Sequence, residues 1–146
     1  MATRRTARTT HAAAANPSDA GAVLGGVVSR MGDIMGPGAV YSLVHYGAIH
    51  EGERLGALLE ARSVEAGVRQ VADLLQVQAR LTASPGAHIR VHVAAADHLH
   101  LEDRGVQALL AGLLEGVLGV VLRKKCSLAR DPYPTRDGGL EFDLSG

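Results

Sequence analysis

The chain is poor in several residue types at once. It has one cysteine, no tryptophan, three tyrosines and one phenylalanine among 146 residues. A lone cysteine excludes an internal disulfide framework and suits a reducing, cytoplasmic setting. With aromatics at 3%, the core of a chain that is 47% apolar must be built from Leu, Val and Ala. Stacking on a flat ligand ring can then contribute little. Acids are missing from the front: none precedes Asp19, whereas Arg4, Arg5 and Arg8 lie there. Setting those three aside, 12 bases face 15 acids, a net of −3 that excludes the concentrated basic surface of a nucleic-acid binder. No uninterrupted apolar run approaches the roughly 18 residues of a bilayer-spanning helix, so no membrane span is expected. Met1 to Pro17 lacks the apolar stretch of a secretory signal and the large apolar residues of an amphipathic transit peptide. Residues 1–17 are therefore expected to form a disordered basic tail, with a basic tether for an acidic partner or membrane as the alternative, and residues 18–146 one domain.

What is present is periodicity. Ser18 or Asp19 can cap a first helix carrying Val23, Val27, Val28, Met31 and Ile34 at helical spacing, which Gly36-Pro37-Gly38 ends. A second helix is expected from about Ala39 to Ala61, with Val40, Leu43, Val44, Gly47, Ala48, Glu51, Leu55, Leu58 and Leu59 on one stripe. Gly47, Gly52 and Gly56 interrupt it, each costing about 1 kcal/mol relative to Ala. Three such residues imply that another backbone, or a ligand, approaches closely. Ser63 can cap a third helix with Val64, Val68, Val71, Leu74 and Leu75.

The period then changes to two. Ile89, Val91 and Val93 alternate with His88, Arg90 and His92 after the turn residues Ser84-Pro85-Gly86. Asp103 can cap a fourth helix with an apolar stripe from Val106 to Leu118. A strand is expected over Val120–Leu128 and another over Leu140–Leu144. The fold class that follows is α+β: three N-terminal helices, then an antiparallel sheet of two hairpins with the fourth helix between them.

No pattern for catalysis emerges. No Ser-His-Asp or Cys-His arrangement is supported, and the glycines near Gly36 lack the Lys-Ser/Thr pair and preceding strand of a phosphate loop. His88 and His92 share a strand face about 13 Å apart, too far for one ion. Solvated or backbone-bonded histidines are the better reading of all seven. His45, Tyr46, His50 and Glu51 lie on the second helix, where a polar group beside an apolar stripe can orient a ligand. The plainer reading is that they mark the stripe's edge or face a partner subunit. Cys126 reads as a small buried hydrophobe, with a redox sensor as the alternative beside Arg123, Lys124 and Lys125.

Three features give the chain a family likeness from about Ser18 onward: the Gly-spaced second helix from Gly47 to Gly56; the strand and loop before the fourth helix; and the Leu/Gly-rich fourth helix with a following strand that holds Cys126. In these it resembles the 4-vinyl-reductase-like, or hydrocarbon-binding, domain family, which is distantly similar to TRAPP tethering-complex subunits. The resemblance implies a pocket between helices and sheet, in a homodimer. Members sense phenols and other aromatics in transcriptional regulators, or act in bacteriochlorophyll synthesis. The chain departs from the zinc-holding members, because Arg123 stands at the Glu position and Pro134 at the last Cys position. Only Cys126, with His98 or His100, remains for a four-ligand site, so neither zinc nor another cofactor is expected.

The resulting expectation is a non-enzymatic, sensor-type module for an apolar or aromatic small molecule, signalling through a partner protein. Val40, Leu43, Val44, Leu109, Leu113 and Leu122 are its expected walls, with His45 or Tyr46 as polar anchor and Gly47 at the close approach. Two alternatives stand: a dimeric scaffold protein whose pocket is filled, and an accessory protein in tetrapyrrole synthesis.

Overall fold

The computed structural model describes residues 20–58, 62–84, 88–128 and 132–145. The tail at 1–17, the cap at Ser18 or Asp19, the end of the second helix at 59–61 and the turn at Pro85-Gly86 lie outside the described residues.

Three helices come first, α1 (Ala20–Met35), α2 (Pro37–Leu58) and α3 (Val64–Leu75). Gly36 alone separates α1 from α2, at φ +83, a conformation closed to most side chains, and Pro37 then starts α2 where its missing N–H is harmless. Ser63 caps α3 by accepting the Ala66 N–H at 3.1 Å. A hairpin of β1 (Ala79–Ser84) and β2 (His88–Val93) leads to α4 (Arg104–Leu122), which Asp103 caps at the Gly105 and Val106 amides. The Ser29 hydroxyl donates to that same carboxylate, which ties α1 to the start of α4.

The chain closes with β3 (Ser127–Leu128), β4 (Tyr133–Pro134) and β5 (Leu140–Ser145). All five strands pair antiparallel, in the order β1-β2-β5-β3, with β4 also on β5. The α+β order read from the sequence is the order found.

One boundary differs. The strand expected from Val120 to Leu128 is helix as far as Leu122, and only Ser127–Leu128 is strand. The apolar run of the fourth helix continues through Leu122, and partial burial of Val120, Val121 and Leu122 against its neighbours outweighs the β-branched preference of the two valines. It ends where Arg123 turns left-handed at φ 52 and its N–H returns to the last helical carbonyls.

α4 is the axis of the core. By length and composition it could cross a bilayer, yet it is covered by the other helices and the sheet. Leu110, Leu114, Val117 and Leu118 meet Leu75 from α3, Val91 from β2 and Phe142 from β5, all fully buried. Each contributes about 1.5–3 kcal/mol by leaving water. Ile89, Val91 and Val93 face this core as their alternation requires, and Arg90 on the opposite face pairs with Asp143 at 2.6 Å.

Candidate functional site

The central seam of the molecule is set by glycines. α2 and α4 run side by side in the same direction, and small residues on each meet the backbone of the other. A Cβ on Gly52 would stand 2.5 Å from the Leu113 carbonyl oxygen, and one on Gly112 2.6 Å from the Ala48 Cβ. On Gly56 it would press on Val120 at 3.1 Å. The close approach inferred from the three glycines of α2 therefore occurs at Gly52 and Gly56. At Gly47 it does not, since a Cβ there meets nothing within 4 Å.

This seam divides the residues expected to form a pocket. Val40, Leu109 and Leu113 are buried in it, and Val44 and Leu122 are half-buried at its margin. Leu43, 52% exposed, and Tyr46, 67% exposed, lie on the outer side of α2 with Gly47. There the Tyr46 ring meets His50 edge-on, at 4.6 Å between centroids. His45 turns inward. Its Nε2 lies 2.8 Å from Oε2 of Glu115, and the Tyr41 ring stacks over it at 5.6 Å. Arg104 lies over the other end of that stack, 4.8 Å from the Tyr41 ring centre.

Glu115 is the residue the sequence reading missed. It is 8% exposed, in the middle of the most apolar helix of the chain. Oε1 accepts the Leu128 N–H at 2.8 Å while Oε2 takes the His45 ring, so one carboxylate joins α2, α4 and β3. A carboxylate offers about four acceptor positions, of which these bonds use two. The signal was legible: the only charge between Val106 and Leu122 stands where a charge is expensive unless partnered.

Beside the seam is a groove of about 600 Å³. Ile49, Gly119 and Val120 form its apolar wall, Glu115 its buried polar point, and Glu53, Lys124 and Lys125 its rim. Cys126 also lines it, and burial pushes the thiol's pKa up against the smaller opposing effect of Lys124. A second cleft, about 740 Å³, lies between α3 and β1, and a third of about 270 Å³ lies along the loop Ala95–Glu102. None of the three takes a wall from the nine residues expected at the pocket. His98 is backbone-bonded, with Nε2 2.8 Å from the Leu75 carbonyl.

No protein-family model matches the chain, and no curated protein matches it at a significant level. Its fold is similar to that in the crystal structure of the phenol-responsive sensory domain of the transcription activator PoxR with phenol. The superposition has a TM-score of 0.50 at 13% identity and covers 85% of this chain and 73% of that one. At that identity the likeness is one of fold.

Proposed function

We propose that this chain is a non-enzymatic, sensor-type module that binds an apolar or aromatic small molecule in the groove between α2 and the α4–β3 connection. The observation that carries the reading is Glu115, a buried carboxylate with free acceptor capacity at the wall of an apolar groove. Ligand sites pair apolar walls with a few fixed polar groups in this way. An O–H on an apolar ring can donate to Glu115 while the ring covers Ile49 and Val120. Its affinity comes mainly from apolar area leaving water, at about 25 cal/mol per Å². The fold shared with a phenol-responsive sensory domain supports the same ligand class, and with it kinship to the hydrocarbon-binding domains. The expected partner protein receives the signal through the shared support of Glu115, because α2, α4 and β3 all meet there.

The test is thermal unfolding with phenol, cyclohexanol and toluene at millimolar concentration, alongside native mass spectrometry of protein purified from its own source. Phenol should raise the midpoint, and Glu115→Gln, which converts half of the acceptor into a donor, should weaken the response about tenfold. If no compound moves the midpoint and the native protein flies bare, the ligand reading is wrong.

The scaffold reading has one observation of its own. Val23, Val27, Ile34, Leu43 and Tyr46 are exposed along α1 and α2, Ile34 at 85%, and glycines 26 and 47 between them face open space. An apolar face with room for a second backbone supports a homodimer through α1 and α2. Such a dimer is compatible with a ligand in the groove, which lies on the inner side of α2.

A further inference from the structure

The cleft of about 740 Å³ between α3 and β1 is not explained by the ligand reading. One side is a single stripe of α3 (Glu65, Val68, Arg69, Ala72, Asp73), and the other is β1 with the residues just before it, Val77 to Leu81. Among the described residues β1 is an edge strand, paired only with β2. The phase of that pairing fixes which backbone groups are spent. The Ala94 N–H donates to the Gln78 carbonyl at 2.8 Å, so Gln78/Ala94 is a hydrogen-bonded pair. With the register Ala79↔Val93, the bonded pairs continue at Arg80/His92 and Thr82/Arg90. Ala79 and Leu81 fall in the alternate pairs, and their N–H and C=O groups point away from β2 into the cleft. Among the described residues, nothing bonds them.

Donors and acceptors repeating every second residue are matched by one kind of ligand, another extended backbone. The floor suits small side chains, because Val68 and Ala72 are buried and Ala79 and Leu81 half-buried. The lining carries three acids, Glu65, Asp73 and Asp137, against Arg69 and Arg80. Residues 1–19 carry the opposite sign, with Arg4, Arg5 and Arg8 and no acid before Asp19, and Ala and Thr are frequent among them. Chain continuity points the same way. The described residues begin at Ala20, and a Cβ on Gly21 would lie 2.6 Å from the carbonyl oxygen of Leu75, two residues before the cleft-lining Val77. Nineteen extended residues reach about 60 Å, whereas an added strand along β1 needs about 20 Å.

From these observations we infer that the segment of residues 1–19 binds in the α3–β1 cleft as an added strand on the free edge of β1. Tethering at Ala20 makes the association intramolecular, so it does not depend on protein concentration. A peptide from a different protein, or the same segment of a second copy, is the competing occupant.

The deciding measurement is amide hydrogen exchange at Ala79 and Leu81, compared between the full chain and a variant lacking residues 2–19. Amides of Val91 and Phe142 serve as the internal reference for an intact sheet. The full chain should exchange at least tenfold more slowly at Ala79 and Leu81, with no dependence on protein concentration. Two variants of the full chain give the same readout without truncation. Ala79→Pro deletes an outward N–H and leaves the ladder to β2 intact. Changing Arg4, Arg5 and Arg8 together to Glu removes the charge match. Each should speed exchange at Leu81 and make the N-terminal segment easier to cleave by thermolysin. Equal exchange with and without residues 2–19 overturns the inference. Protection that rises with concentration overturns it too, by assigning the edge to a second copy. The outcome is independent of whether the groove at Glu115 binds a ligand.

Discussion

The two faces of α2 use the same residue type to opposite ends. On the inner face, Gly52 lets α4 come so close that a single methyl would collide with it, and at Gly56 a methyl fits only if Val120 gives way. On the outer face, Gly47 opposes nothing, and it is flanked by exposed Leu43 and Tyr46. A helix glycine is a cost of about 1 kcal/mol wherever it stands. Within the described residues that cost is offset by contact only on the inner side. A small residue in a helix thus marks a place where something can approach, and the sequence cannot say which side has been approached.

The strongest way to break this contrast is to fill the seam. Gly52→Leu must push α4 away from α2, and the mutant should lose about 3 kcal/mol or more, or fail to fold. Urea denaturation measures this, and an unchanged midpoint would mean the helices are not in contact there. Glu115→Ala comes next. It orphans the Leu128 amide and removes the His45 partner, which should cost about 2–3 kcal/mol by the same assay. Gly47→Ala tests the outer face and should stabilise the monomer by up to about 1 kcal/mol. Gly47→Leu should likewise fold, but should lower the dimer fraction in sedimentation if a second copy packs there. The smallest effect belongs to Cys126 at the edge of the groove. Burial raises its pKa, so the thiol stays protonated to higher pH than usual. Its alkylation by iodoacetamide should therefore set in at higher pH than that of a free thiol, and an unshifted profile would place the thiol in open water.

Much of the architecture could be read before any coordinates. Asp103 and Ser63 cap the helices they were expected to cap, and Ile89, Val91 and Val93 reach the core through simple alternation. These are local rules, in which a side chain and its neighbours three or four residues away settle the outcome. The strand expected over Val120–Leu128 is not found because its first residues continue the apolar run of a helix buried on nearly every side up to Leu118, where period gives no signal. For the site, Glu115 was visible as a lone carboxylate in an apolar helix. Its partners were not, since His45 lies 70 residues away in sequence.

By itself, then, the sequence determined the elements, their order and the Leu- and Val-built interior, because each follows from short-range spacing and from the removal of apolar area from water. It also determined that close approaches would occur on α2, through the cost of three glycines. Only the tertiary structure decided that α4 is what approaches, that Gly47 is left bare, and that Glu115 becomes the polar point of a groove. Those outcomes depend on which surfaces meet across long stretches of chain, and no local spacing encodes that meeting.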